Sequence, residues 1–115
     1  LEHLTTEIKA ASWGLKHTHD LQGMLKEKGY DVNSARVLEI CKPIFANELL
    51  NDDRLKIYSN MMPCRISVYK KEDGKTYISR MNIEVFSAMI GGKVGEFMQN
   101  AYRDVETFLI KVITT

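Results

Sequence analysis

The sequence predicts an α+β fold: an antiparallel sheet of four to five strands, helices packed on one face, and a long C-terminal helix. Three observations carry this expectation. Segments rich in branched residues interleave with segments of helical spacing. The clearest hairpin in the chain runs from Cys64 to Met81 and turns at Asp73-Gly74. Beyond Gly92, apolar residues recur at helical spacing over about five turns.

The elements follow in chain order. Leu1, Leu4, Ile8 and Ala11 mark an amphipathic helix that ends near Trp13-Gly14. Gly14 to His19 is a short strand. Asp20 can cap a brief helix over 21–28, with Leu21, Met24 and Leu25 as its buried face and Gly29 as its stop. Ala35 to Cys41 is a strand, followed by Pro43, which suits the first turn of a helix. In that helix Phe45, Leu49 and Leu50 are expected inward, and Asn51-Asp52-Asp53 ends it. Cys64 to Lys70 and Lys75 to Met81 form the hairpin, turning at Lys71-Glu72-Asp73-Gly74. Asn82 can cap a helix from Ile83, with Val85, Phe86, Met89 and Ile90 apolar. Gly91-Gly92 separates it from the long helix carrying Val94, Phe97, Met98, Ala101, Val105, Phe108, Leu109 and Val112.

At 115 residues the chain is read as one domain, 1–115, large enough to bury a core without cross-links. It begins at Leu1 rather than Met, and a further strand before Leu1 would complete the sheet. The net charge of +1 gives no global field for nucleic acid or an anionic membrane, and neither is an expected partner. No apolar run approaches the roughly 18 residues of a membrane span. Two cysteines make no disulfide scaffold. With no signal-peptide pattern visible, free thiols in a reducing cytoplasm are expected.

Two short segments stand out, Cys41-Lys42-Pro43 and Met61-Met62-Pro63-Cys64-Arg65. They hold every cysteine and proline of the chain. Cys41 ends a strand just before a helix start, where backbone N–H groups and the helix dipole favour a thiolate. Arg65 beside Cys64 is a second candidate for stabilising one. The end of the first strand and the start of the second fall at one rim of the sheet, so the two sulfurs can approach. Alternation works against a joint site. It groups Cys64 with Ile66 and Val68, and Cys41 with Val37 and Glu39. The bland alternative is that both cysteines pack as small apolar residues.

His17-Thr18-His19 can present two imidazoles from one strand face, which suits a divalent transition metal if Asp20 or a partner chain adds a ligand. These histidines are expected at the opposite end of the sheet from Cys41, or simply solvated. Met61-Met62 is soft enough for a ligand or an interface, and more ordinary as core filler. Trp13, Tyr69 and Tyr77 can line a groove, though Tyr69 and Tyr77 also fit a plain cross-strand pair. Lys70, Lys71, Lys75 and Arg80 make the hairpin basic without interleaved exposed aromatics. Gly91-Gly92-Lys93 lacks the strand and spacing of a phosphate loop. Glu39 interrupts an apolar strand. It is expected to face solvent, and if buried it needs Arg36, Arg65 or Arg80.

Several of these pieces together resemble the domain of unknown function 302 family. They are Gly29 before the central strand, Cys41-Lys42-Pro43 closing it, Pro63-Cys64-Arg65 before Val68-Tyr69, and Asp73 to Ser79. The match covers roughly Trp13 to Met81. The family usually carries Cys-Asn-Pro at the first site, where this chain has Lys42. The resemblance implies a fold like the TATA-binding protein, with strand, helix, four strands and helix, the first strand lying upstream of Leu1. It implies a tendency to homodimerise. Some members occur near sulfur-handling proteins. It supplies no activity.

The leading expectation is a non-enzymatic homodimeric module that binds a small ligand or a protein near Cys41, Pro43, Pro63 and Cys64. It would associate through its open sheet face or a strand edge. The alternative is a thiol-dependent redox or sulfur-carrier protein, with Cys41 as nucleophile, Cys64 as resolving thiol and Arg65 as stabiliser. A weaker third is a metal-binding module using His17 and His19. No cofactor is implied.

Overall fold

In the computed structural model, which describes residues 1–62 and 64–113, helix α1 (Glu2–Ala10) leads into strand β1 (Gly14–Asp20) and helix α2 (Leu21–Glu27). Strand β2 (Ala35–Cys41), helix α3 (Pro43–Leu50) and a 3-10 segment (Lys56–Met61) follow. The hairpin strands β3 (Cys64–Lys70) and β4 (Thr76–Arg80) precede helices α4 (Ile83–Ile90) and α5 (Gly92–Ile110).

Local chemistry sets the boundaries. The Asp20 side chain accepts from the Gly23 N–H at 3.0 Å and starts α2. Pro43 opens α3, where its missing N–H costs nothing. Asn82 accepts from the Val85 N–H and caps α4. Gly91 and Gly92 both hold positive φ, 68° and 64°, so glycine there turns the chain out of α4 and back into α5.

The sheet has the order β1-β2-β3-β4, with every neighbouring pair antiparallel. Each strand thus lies beside its predecessor in sequence. Register places Leu38 opposite Ile66 and Ile66 opposite Arg80 on one face. Glu39 opposite Arg65, and Tyr69 opposite Tyr77, belong to the other. The first face is the core face. Leu38, Ile40 and Ile66 are buried against Leu4 and Ile8 of α1, Trp13, and Val105, Phe108 and Leu109 of α5. Each such side chain contributes about 1.5–3 kcal/mol of transfer free energy. A second cluster joins Leu49 of α3, Leu55, and Phe97 and Met98 of α5, with Tyr58, Met62 and Ile83 against it.

Two expectations fail here. Leu21, Met24 and Leu25 are exposed, by 37%, 56% and 40%. Helix α2 touches β2 but contributes to neither core cluster, because this seven-residue helix in the connection between β1 and β2 falls outside the layer formed by α1 and α5. Leu50 is also exposed. Phe45 and Leu49 are four residues apart and share the inward stripe, while Leu50 is turned about 100° from Leu49. The 3-10 segment has no counterpart in the sequence expectations. Its Tyr58 still joins the second cluster. The expectations for Pro63 and for the side chains of Met61, Phe86, Ile90, Lys93 and Val94 lie outside the described residues.

Candidate functional site

The two cysteines arrive at the same rim of the sheet. Ile40 is the register partner of Cys64, and Cys41 is the next residue, opposite Gly14. Alternation then separates them. Cys64 shares the core face with Ile66, while Cys41 follows the parity of Val37 and Glu39. Both are free thiols and half-buried. Cys64 packs against the main core cluster. Burial there, with a smaller contribution from nearby Cys41, pushes its thiol up to about 11. Cys64 is therefore protonated at neutral pH, which gives no support to a thiolate role. Arg65 stands opposite Glu39 on the other face, and its charge acts on that carboxylate. Pro43 has a structural duty as the first residue of α3.

The histidines are not at the far end of the sheet from Cys41. His17 pairs with Glu39, two residues from Cys41, and His19 pairs with Val37. A register irregularity between Leu15 and His17 sets both on the face of Glu39. Their rings meet edge to face at 4.3 Å. His19 Nε2 bonds Glu39 Oε1, so Glu39 is half-buried and partnered rather than solvated. The hydrogen bond from His19 comes first in holding the Glu39 carboxyl below its ordinary range, with the charges of His19, Arg65 and His17 adding to it. Among the described residues no group of three or more His, Cys, Asp or Glu is arranged to hold a metal ion.

Trp13 lines no groove. It is 3% exposed and packs between Phe45 and Phe108. Tyr69 and Tyr77 stack as a cross-strand pair at 5.8 Å. The Tyr77 hydroxyl donates to Asp73 in the hairpin turn.

A more substantial opening lies between the sheet and α5. A cavity of about 470 Å³ is walled by Cys64 and Ile66 of β3, Leu55 and Tyr58 near the 3-10 segment, and Met98 and Ala101 of α5. Arg80 and Tyr102 stand on the same wall. The volume falls in the roughly 300–1,000 Å³ range of small-molecule sites, which are mostly apolar with a few placed polar groups. Ala101, a small residue between Met98 and Val105 on the long helix, lies on its wall. Arg80 is fixed at this wall. Its Nε donates to Glu106, and its Nη2 donates to the Tyr102 hydroxyl at 3.0 Å. Of the candidate residues named from sequence, Met62, Cys64 and Arg65 border this cavity, as does Arg80 of the basic hairpin; His17, His19, Cys41 and Pro43 do not. Sequence reasoning missed Tyr102, Ala101 and Tyr58. The one signal available was a small residue inside the apolar stripe of the long helix.

A family model described as "Domain of unknown function DUF302" matches residues 1–115. The chain belongs to the DUF302 family. The match extends beyond the Trp13-to-Met81 span that carries the motif resemblance and takes in α1 and α5. This DUF302 chain is also similar to a crystal structure of an uncharacterized conserved DUF302 protein from Bacillus stearothermophilus. The TM-score is 0.82 at 24% identity, covering 94% of this chain and 84% of the other. That likeness shows the fold. No curated protein matches the chain. Against the usual family pattern, Lys42 stands between Cys41 and Pro43, and here its ammonium pairs with Asp104 of α5. No helix among the described residues is long and apolar enough to cross a membrane.

Proposed function

We propose that this DUF302 domain is a non-enzymatic binding module that takes an apolar small molecule into the space between its sheet and α5. The observation that carries the proposal is the 470 Å³ cavity with Ile66, Leu55, Met98 and Ala101 on its wall. Apolar surface left open in the interior loses dispersion contacts, and an apolar occupant restores them. The Cys64 thiol belongs to this wall as a soft, protonated group, in keeping with its raised pKa.

Self-association is part of the same proposal. Strands β1 and β4 are the edges of the sheet, and Met81, Val85 and Met89 beside them or on α4 are 63%, 60% and 79% exposed. Light scattering at high concentration tests it, and a mass of 13.2 kDa would remove it.

Binding is tested with Nile red, a neutral apolar dye. Its emission is expected to rise and saturate with the native protein. Ala101→Trp should fill the cavity and abolish the rise while circular dichroism stays native. An unchanged titration with a folded Ala101→Trp variant would refute the site.

A further inference from the structure

The cavity wall has a charge pattern that its apolar character hides. Two charged residues among the described ones border it, but Arg65 belongs to the opposite face of the sheet with Glu39, so Arg80 on the core face is the one that presents its charged side chain; no Asp or Glu contributes to the wall. Glu106 holds the Nε side of Arg80 from outside the wall. Tyr102 takes one hydrogen of Nη2. A guanidinium carries five N–H donors, so three remain, two of them on Nη1, and these can donate to a carboxylate. Glu106 and Tyr102 fix the guanidinium, and Nη1 has no hydrogen-bond acceptor among the described residues.

We propose that the occupant is an amphipathic monocarboxylate, its apolar body against Ile66, Met98 and Ala101 and its head on Arg80. The inference rests on the cavity being a binding site and names the class of ligand it selects. A neutral ligand of the same shape leaves Nη1 of Arg80 without its partner. An ammonium ligand meets the like charge of Arg80.

The experiment titrates the full chain calorimetrically with decanoate, decanol and decylamine, below their micelle-forming concentrations. A hydrogen bond to a charged group contributes about 1.5–3 kcal/mol, so decanoate is expected to bind roughly tenfold to a hundredfold more tightly than decanol. Decylamine is expected to bind most weakly. Arg80→Gln should bring decanoate down to the decanol level and leave decanol unchanged. Arg80→Lys should restore part of the preference. If Arg80→Gln fails to fold, the three-ligand comparison on the native chain still decides. Equal affinity for decanoate and decanol overturns the carboxylate preference while leaving the cavity as a site. Silence from all three ligands, together with silence from Nile red, overturns the site itself.

Discussion

Lys42 Nζ stands 2.8 Å from Asp104 Oδ2, and the same oxygen accepts the Trp13 indole N–H at 2.6 Å. One carboxylate on α5 thus ties the entry to β1 and the start of α3 together. The two donors are not equivalent. The indole N–H belongs to a buried ring, whereas the ammonium keeps access to water. Asp104→Ala is therefore expected to cost about 1–3 kcal/mol, mostly from leaving the indole donor unsatisfied. Lys42→Met should cost no more than about 1 kcal/mol, as a half-exposed ion pair does. Urea unfolding followed by circular dichroism measures both. A larger loss for Lys42→Met would place the stabilisation in the ion pair instead.

The α4–α5 corner admits no side chain at Gly95. A Cβ there would lie 2.6 Å from the Ser87 carbonyl oxygen, which is backbone and cannot rotate away. Gly95→Ala is expected to push the two helices apart at a cost of about 1–3 kcal/mol. The check is a lowered melting temperature, against little change for a control Asn100→Ala on the exposed side of α5.

Cys64 makes the fold sensitive to alkali. Its thiol is pushed up to about 11 in the folded protein, above its ordinary value near 9.0. The unfolded chain loses this proton first as pH rises. The associated stability is whole below about pH 9 and is lost on the way to pH 11. Cys64→Ala should flatten that limb of the stability curve. Native alkylation at pH 8 should spare Cys64, and rapid labelling there would contradict its burial.

Glu39 makes the opposite contribution in acid. Its carboxyl is held below the ordinary range, first by the His19 hydrogen bond. That stability is present above the unfolded value, about 4.3, and is lost as pH falls through the lower folded value. Glu39→Gln should reduce the dependence of unfolding on pH between about 5 and 3. An unaltered acid limb would mean that the pairing contributes nothing in solution.

The fold was largely legible because its elements have strong local signals. Asp73-Gly74 between alternating strands, Pro43 after a strand end, and Gly91-Gly92 between apolar stripes each act within a few residues. Side-chain burial was less so. The apolar face of α2 is real, yet it has nothing to pack on, since burial depends on which layer a helix reaches rather than on its own periodicity. Glu39 was assigned to solvent because its partner, His19, lies 20 residues away across a register irregularity. The cavity left almost no trace, because its wall is assembled from β3, β4, α5 and the loop around Leu55. Cys64, chosen for its chemistry, did turn out to touch it. Cys41 did not, because one step along a strand changes the face.

The single tryptophan of the chain is buried at the meeting point of α1, β1 and α5, with Phe45 and Phe108 around it and a carboxylate oxygen on its nitrogen. The protein therefore carries one indole fluorophore, in one dry setting. A shift of its emission toward longer wavelength reports the parting of that junction, with no label and no second indole.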